Sequence, residues 1–218
     1  MKNSIGISEN QFSSIWWRRG LFFILFVEFA VLIWITTGSY YRDSQPPIPE
    51  KVIDNTGLVV FTGIDIQAGQ EVFLQKGLMN NGSIWGHGAY LGPDFSAQYL
   101  HNLALEVNNY IAIEKYKTKI SEEPGQKESL VGLTGEFLAT NRYDAESQNL
   151  IFTEPEVNSF NAQISYWKDY FQNPAASRGL PNDLISDPQE MRQLTAFFAW
   201  AAWASVAHSP GNKYSYTN

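Results

Sequence analysis

The stretch GLFFILFVEFAVLIWITT, residues 20–37, decides the architecture of this chain. Its 18 residues would form a helix of about 27 Å, close to the thickness of the hydrocarbon layer of a bilayer. Twelve of them are Leu, Ile, Phe or Val, which together favour membrane insertion by about 4–7 kcal/mol. Glu28, at the centre, opposes insertion by only about 2.5–3.5 kcal/mol. The sequence therefore predicts a transmembrane helix over residues 20–37.

The flanking residues predict the orientation of this helix. Arg18 and Arg19 precede it, and the positive-inside rule then places residues 1–19 in the cytoplasm. We therefore expect a single-pass protein of the cytoplasmic (inner) membrane whose main domain is periplasmic or otherwise extracytoplasmic. A cleaved signal peptide is the alternative, although TTGSYYRDS, residues 36–44, is a poor match to an A-x-A cleavage site.

Glu28 itself has two interpretations. Its carboxyl group could be protonated or satisfied by a neighbouring helix, or it could serve in a proton path or in a contact between helices. A helix packed in a bundle can shelter a central carboxylate, whereas an isolated anchor has no need of one. The position therefore favours a larger membrane assembly.

Composition excludes several classes of function. Residues 38–218 carry 12 basic and 20 acidic side chains, and so acidic a body argues against binding to nucleic acid, which needs a positive surface. The chain has no cysteine and only three histidines. Disulfides, thiolate metal sites, cysteine nucleophiles and thioether-attached haem are therefore excluded, and an internal metal or haem centre would be hard to build.

Local patterns predict a mainly α-helical chain with small β-hairpins. After a Pro-rich linker over residues 38–50, we expect an extracytoplasmic domain over residues 51–187 and an apolar helix that begins the segment 188–218. Two hairpins are predicted, one over residues 51–61 with its turn at 54–57 and one within residues 137–152. Four helices are predicted, over 65–78 with Asp65 as a possible cap, over 96–119 capped by Ser96, over 153–172, and from its Asp187 cap to about Ala207. A charged loop is predicted over residues 121–129.

The last helix contains AFFAWAAWASVA, residues 196–207, which at about 18 Å is too short to span a bilayer. Its Phe and Trp side chains could lie at the membrane interface or inside a partner. Alternatively, the helix closes the core of its own domain.

No catalytic constellation is visible in the sequence. The carboxylates form no pair with an acid–base spacing, and residues 132–135, GLTG, lack the lysine of a phosphate-binding loop. His87, between two glycines, is either a hydrogen-bonded structural residue or a ligand or proton carrier. His101 is expected at the surface, and His208 ends the last helix, where a cation complements the helix dipole.

The Gly-rich stretch GSIWGHGAYLGPD, residues 82–94, resembles the signature of the quinol-dependent (single-subunit) nitric oxide reductases. FTGIDIQAG, residues 61–69, and the segment 195–218 resemble the sequences that flank this signature. The resemblance implies an interface loop made of Gly82, Ser83, Trp85, Gly86, His87, Pro93 and Asp94.

The same resemblance implies a cytochrome c-like fold without its haem. Related cytochromes carry C-x-x-C-H immediately before a G-x-G-A-Y stretch, and residues 78–82, LMNNG, stand in that place here. The multi-helix core that holds haem b and non-haem iron in the family is absent from this sequence, so either the gene is split or truncated, or the core is a second polypeptide. We therefore expect this chain to be inactive alone and to bind no cofactor itself.

By resemblance, the Gly88 carbonyl and Tyr90 would contribute to a calcium site shared with the core. The implied function is that of a non-catalytic, membrane-anchored portion of an NO reductase, which converts NO to N2O in denitrification with electrons that quinol delivers through the core. The alternative is a free-standing anchored interaction or assembly protein.

Overall fold

The computed structural model describes residues 15–40, 45–116, 124–173, 177 and 179–217. The chain divides into two compact units, Met1–Ser44 and Gln45–Asn218. Helices predominate among the described residues and the strands are short, which confirms the predicted fold class of mainly α with small β-hairpins. Residues 1–14 and 117–123, which include most of the predicted cytoplasmic segment and the predicted end of the long helix, lie outside the described residues.

Helix α1, Ile15–Tyr40, is the described part of the first unit. Residues 16–38 within it are long and apolar enough to cross a membrane, and the predicted span over residues 20–37 lies inside them. Their side chains are exposed. Glu28 is exposed at the middle of the helix, and its role stays a prediction.

The first predicted hairpin is confirmed. Strands β1 (Lys51–Asp54) and β2 (Val59–Thr62) pair antiparallel. The Asp54 carboxylate closes the turn between them, because it accepts hydrogen bonds from the backbone N–H groups of Thr56 and Leu58 at 2.8 and 2.9 Å.

In the second unit, strands β5 (Tyr143–Asp144) and β6 (Asn149–Phe152) form the second predicted hairpin. They join β1 and β2 in a four-stranded sheet of order β2-β1-β6-β5. Strand β6 also pairs parallel with β1, with Val52 opposite Leu150, and both of these side chains are buried. The two hairpins therefore share one buried face.

A short two-stranded sheet, β3 (Ser83–Ile84) and β4 (His87–Gly88), lies in the Gly-rich loop after a single 3-10 turn at Leu78–Asn80. Five α-helices complete the described part of the second unit. They are α2 (Gly63–Gln75), α3 (Phe95–Tyr116), α4 (Pro124–Ala139), α5 (Glu154–Gln172) and α6 (Pro188–Val206).

The starts of helices α2 and α4 differ from the prediction. Helix α2 is capped by Thr62 and not by Asp65, whose carboxylate instead accepts the Thr62 backbone N–H at 2.8 Å, as in a capping box. Helix α4 begins at Pro124, where a charged loop was expected over residues 121–129, and its last residues 137–139 shorten the first arm of the second hairpin. Proline suits this position because the first helical N–H groups have no intrahelical acceptor.

Helix α6 lies in the core of the second unit. Of the three locations that the sequence allowed for it, the structure shows the core of its own domain. Asp187 caps it as predicted, with its carboxylate accepting from the Gln189 N–H at 2.9 Å. Gly69 of α2 has no space for a Cβ atom beside the Gln193 carbonyl, which shows how closely α2 and α6 approach. Helix α6 and residues 51–187 thus belong to the same compact unit.

Aromatic side chains fill the centre of this domain. Phe95 is fully buried and stacks on Phe198 of α6, with ring centroids 4.9 Å apart and planes 7° apart. Trp167 of α5, also fully buried, lies 5.6 Å from Phe95 and 5.0 Å from Phe198. These contacts join the start of α3 to α5 and α6, and they fix the position of the Gly-rich loop that immediately precedes α3.

Candidate functional site

The Gly-rich loop ends in a tight hairpin whose tip is Trp85-Gly86. Strands β3 and β4 pair Ser83 with Gly88 and Ile84 with His87. Both tip residues have positive φ, 53° for Trp85 and 77° for Gly86, which is the requirement of a two-residue type I′ turn. Glycine adopts this conformation readily, but tryptophan does so at a cost of about 1–2 kcal/mol. The surrounding contacts must therefore hold Trp85 in place.

Asp94 is the residue that ties the loop together. One carboxylate oxygen accepts from the Ser83 hydroxyl at 2.8 Å and from the Gly86 N–H at 2.7 Å. The other accepts from the Ser96 hydroxyl at 2.5 Å and from the Ala97 N–H at 2.9 Å. Asp94, and not Ser96, therefore caps helix α3, and the same side chain fastens the hairpin to that helix.

The electrostatics of Asp94 follow from these four donors. Partial burial raises the pKa of its carboxyl group, but the hydrogen bonds from Ser96, Ala97, Gly86 and Ser83 outweigh that effect and lower the pKa below its usual value. The carboxylate is thus ionised at neutral pH with both oxygens engaged. It is built as a structural anchor of the loop rather than as a free base.

Trp85 connects the hairpin tip to helix α6. Its indole N–H donates to the Ala201 carbonyl at 2.8 Å, and its backbone N–H donates to the Ser96 hydroxyl at 3.1 Å. Its ring also packs on Trp200, with centroids 5.6 Å apart. These contacts compensate for the unfavourable backbone conformation, so the tip is held rigidly.

Asn81 fixes the other side of the loop. It is only 3% exposed; its side-chain N–H donates to the Ser177 carbonyl at 2.9 Å, and its side-chain oxygen accepts from the Tyr170 hydroxyl at 3.2 Å. Its backbone carbonyl accepts from the Gly92 N–H at 2.6 Å. Sequence reasoning missed Asn81, because nothing distinguishes one asparagine of a Gly-rich loop from its neighbour Asn80.

The remaining motif residues close the base of the loop. The Ser83 N–H donates to the Pro93 carbonyl, and the Ala89 N–H donates to the Gly82 carbonyl, both at 3.1 Å. The structure therefore brings all seven predicted motif residues into one compact, hydrogen-bonded loop. Their role in an interface stays a prediction.

The surface of the loop is formed by its tip. Gly86, His87 and Gly88 are exposed, and Tyr90 is 82% exposed with its hydroxyl donating to the Gly86 carbonyl at 3.2 Å. A cleft of about 500 Å³ borders the tip, and its lining includes Trp85, His87, Asp94, Ser205 and Tyr216. Among the described residues that line the cleft, Asp94 is the only carboxylate and its oxygens are already engaged, and none is a lysine or an arginine. The cleft therefore presents a largely uncharged surface.

The two predicted calcium ligands, the Gly88 carbonyl and Tyr90, do not make a complete calcium site by themselves. Tyr90 and the Gly88 backbone are near the surface, as a shared site requires, but within the described residues no group of three His, Cys, Asp or Glu side chains could hold a metal ion. Since calcium takes six to eight oxygen ligands, further oxygens would have to come from a partner.

The comparison with protein-family models matches residues 49–218 to the cytochrome c-like domain of the NorB subunit of nitric oxide reductase. The match covers 170 of the 218 residues, from the end of the linker through the Gly-rich loop to the last residue. The chain belongs to this family. A search of curated proteins gave no match.

The family model extends through helix α6, in agreement with the place of α6 in the domain core. It also confirms the resemblance of the chain to the nitric oxide reductases.

The residues of this family member do not fit a covalently attached haem. There is no cysteine to form a thioether, and His87, His101 and His208 are all exposed. At the place of the cytochrome motif, Leu78 is fully buried in the core and Asn81 is engaged by Ser177 and Tyr170. These groups pack the domain and offer iron no ligand.

Proposed function

We propose that this chain is the non-catalytic, membrane-anchored part of a quinol-dependent nitric oxide reductase, and that its extracytoplasmic domain docks on the catalytic core. The family match over residues 49–218 carries this proposal. The apolar helix over residues 16–38 supports the anchor. In the proposed orientation, the pair Arg18–Arg19 stays in the cytoplasm and the domain lies in the periplasm or its equivalent.

The side chains of this chain indicate which functions must belong to the catalytic core. Reduction of NO to N2O needs electrons and a metal centre, and this chain has no thiolate and only three exposed histidines. In the proposal, haem b, non-haem iron and the quinol site all belong to the core. The domain contributes a shaped surface, and the chain alone does not reduce NO.

The tip of the Gly-rich loop is the proposed docking surface. Trp85 is held by the Ala201 carbonyl and Asp94 by four donors, so the tip loses little conformational freedom when a partner binds. From residue 77 to residue 93 the chain contains no Lys, Arg, Asp or Glu. A rigid, uncharged surface of this kind can be buried against a partner without the desolvation of ionised groups.

The experiment is the purification of the tagged chain from the membranes of its own cells. The proposal predicts that a multi-span protein with b-type haem copurifies and that the eluate reduces NO with a quinol as donor, whereas the chain produced alone is inactive. If the chain elutes without such a partner under mild detergent conditions, it is instead a free-standing anchored interaction or assembly protein. A neighbouring reading frame for a histidine-rich multi-span protein would favour the first outcome.

The proposed calcium site is tested within that assembly. We propose that the Tyr90 hydroxyl and the Gly88 carbonyl complete a calcium site whose carboxylate comes from the core. Tyr90→Phe should then lower the calcium content of the purified assembly, while the matched variant Tyr214→Phe, at a tyrosine that is 49% exposed outside the loop, should not. Equal calcium in both variants would exclude the phenolic oxygen as a ligand.

A further inference from the structure

The end of the Pro-rich linker is part of the second unit. Pro49 is buried, and the Glu50 N–H donates to the Gln148 carbonyl at 2.8 Å. The Gly63 N–H donates to the Glu50 carbonyl at 3.0 Å, and Gly63 has no space for a Cβ atom beside the Pro49 carbonyl. Residues 48–50 are therefore fixed to the sheet and to the start of α2.

Residues 45–47, which we call the strap, are held to the domain in a different way. Proline has no N–H group, so Pro46 and Pro47 can only accept hydrogen bonds. Among the described residues, the strap makes one hydrogen bond to the rest of the domain, in which the indole N–H of Trp200 donates to the Pro47 carbonyl at 2.9 Å. Segments with the pattern P-x-x-P, here from Pro46 to Pro49, favour an extended polyproline II conformation and bind to aromatic grooves. The strap is therefore bound by its own domain as a Pro-rich ligand would be.

The same tryptophan supports the tip of the Gly-rich loop. Trp200 of α6 is only 9% exposed, and its ring packs on that of Trp85 with centroids 5.6 Å apart. Pro46 of the strap lines the cleft of about 500 Å³ that Trp85 and His87 also line. One side chain thus joins the strap to the tip, and the chain enters the domain at the cleft beside the tip.

We propose that Trp200 is a positioning residue for docking, because it fixes the strap beside the loop tip. The chain then enters the domain at the surface that meets the catalytic core. One hydrogen bond suffices to hold the strap, since its prolines restrict the backbone in advance and residues 48–50 are already fixed. The part of this inference that concerns docking rests on the proposed function, whereas the attachment of the strap does not.

The absence of cysteine makes a distance measurement direct. Two cysteines replace Gln45 in the strap and His87 at the tip, both of which are exposed. Spin labels on them report the distribution of distances by pulsed electron paramagnetic resonance, in the full-length chain reconstituted in nanodiscs. Trp200→Phe keeps an aromatic ring but removes the donor. Trp203→Phe is the matched control on the same helix, because the Trp203 indole N–H has no acceptor among the described residues.

The proposal predicts a narrow distribution with Trp200 intact and in the control, and a broad one in Trp200→Phe. The loss of one hydrogen bond shifts such an equilibrium by about 2- to 13-fold. A distribution that is as narrow in Trp200→Phe as in the control would overturn the proposal. If near-UV circular dichroism shows that Trp200→Phe does not fold, the double variant Pro46→Gly/Pro47→Gly decides. It loosens the strap without changing the core, and an unchanged distribution there would overturn the proposal as well.

The docking role is measured in native membranes with tagged chains that carry no label. Trp200→Phe should copurify several-fold less haem b than Trp203→Phe at an equal amount of chain, and equal haem b would overturn the positioning role. If the wild-type chain itself copurifies no haem b protein, the proposed function is contradicted, and the docking part of this inference with it. The distance measurement then still decides whether Trp200 fixes the strap.

Discussion

Helices α1 and α6 are both strongly apolar, yet they lie in opposite surroundings. Residues 16–38 of α1 have no buried side chain, whereas α6 buries twelve of its residues, from Met191 to Ala204, inside the domain. The two helices differ in the size of their apolar side chains. Helix α6 contains five alanines, while α1 is lined by Phe, Leu and Ile on all sides. Apolar composition alone therefore does not distinguish a membrane helix from a core helix; length and the distribution of small residues do.

The largest expected effect comes from removing an aromatic ring from α6. Phe198→Ala should lower the free energy of unfolding of the domain by about 3–5 kcal/mol, because it leaves a cavity beside Phe95 and Trp167. Phe26→Ala in α1, at a side chain that is 71% exposed, should leave that free energy unchanged. Denaturant titration of both full-length variants in detergent, followed by near-UV circular dichroism, measures the difference. Equal losses would contradict the contrast between the two helices.

A smaller effect is expected where α2 crosses α6. Gly69→Ala places a Cβ atom against the Gln193 carbonyl, and such overpacking costs about 1–3 kcal/mol. Gly20→Ala in α1, where no other atom lies within 4 Å of the new Cβ, is the matched control. The first variant should lower the midpoint of thermal unfolding of the domain, and the second should not. A stabilised Gly69→Ala domain would mean that α2 and α6 are farther apart than described.

The third effect depends on pH and concerns the fastening of the loop to α3. The pKa of Asp94 is lowered in the folded domain, so its ionised form stabilises folding above the usual carboxyl pKa of about 3.9. This contribution is lost as the pH falls through the lowered value. The difference in stability between the wild type and Asp94→Asn should therefore be largest near neutral pH and shrink on acidification below about pH 4. A difference that does not change with pH would show that the carboxylate charge has no part in holding the loop.

Much of the fold could be predicted from local signals. The turn at Asp54–Gly57, helix α5 and the start of α6 at Asp187-Pro188 each follow from capping and turn residues. Helix α4 could not be predicted in the same way, because the pair Pro124-Gly125 and the surrounding charges are equally typical of a loop. The burial of α6 in the domain core and the parallel pairing of β1 with β6 depend on contacts between residues far apart in the sequence. A single sequence carries no signal for such contacts.

Only part of the arrangement of the Gly-rich loop could be predicted. Its residues were identified by resemblance, and the structure brings them together. The part played by Asp94 as an anchor with four donors could not be inferred, since it depends on the positions of Gly86 and Ala97 around it. The support from Asn81 and from the Ala201 carbonyl likewise comes from three-dimensional packing.

Photo-crosslinking in native membranes tests whether the Gly-rich loop docks on a membrane-embedded partner. A photoreactive phenylalanine analogue replaces His87 at the exposed tip or, as a control, Leu105, which is 51% exposed on α3. We expect a covalent adduct between position 87 and a multi-span haem b protein, and no such adduct from position 105. No adduct at position 87, or equal adducts at both positions, would contradict it.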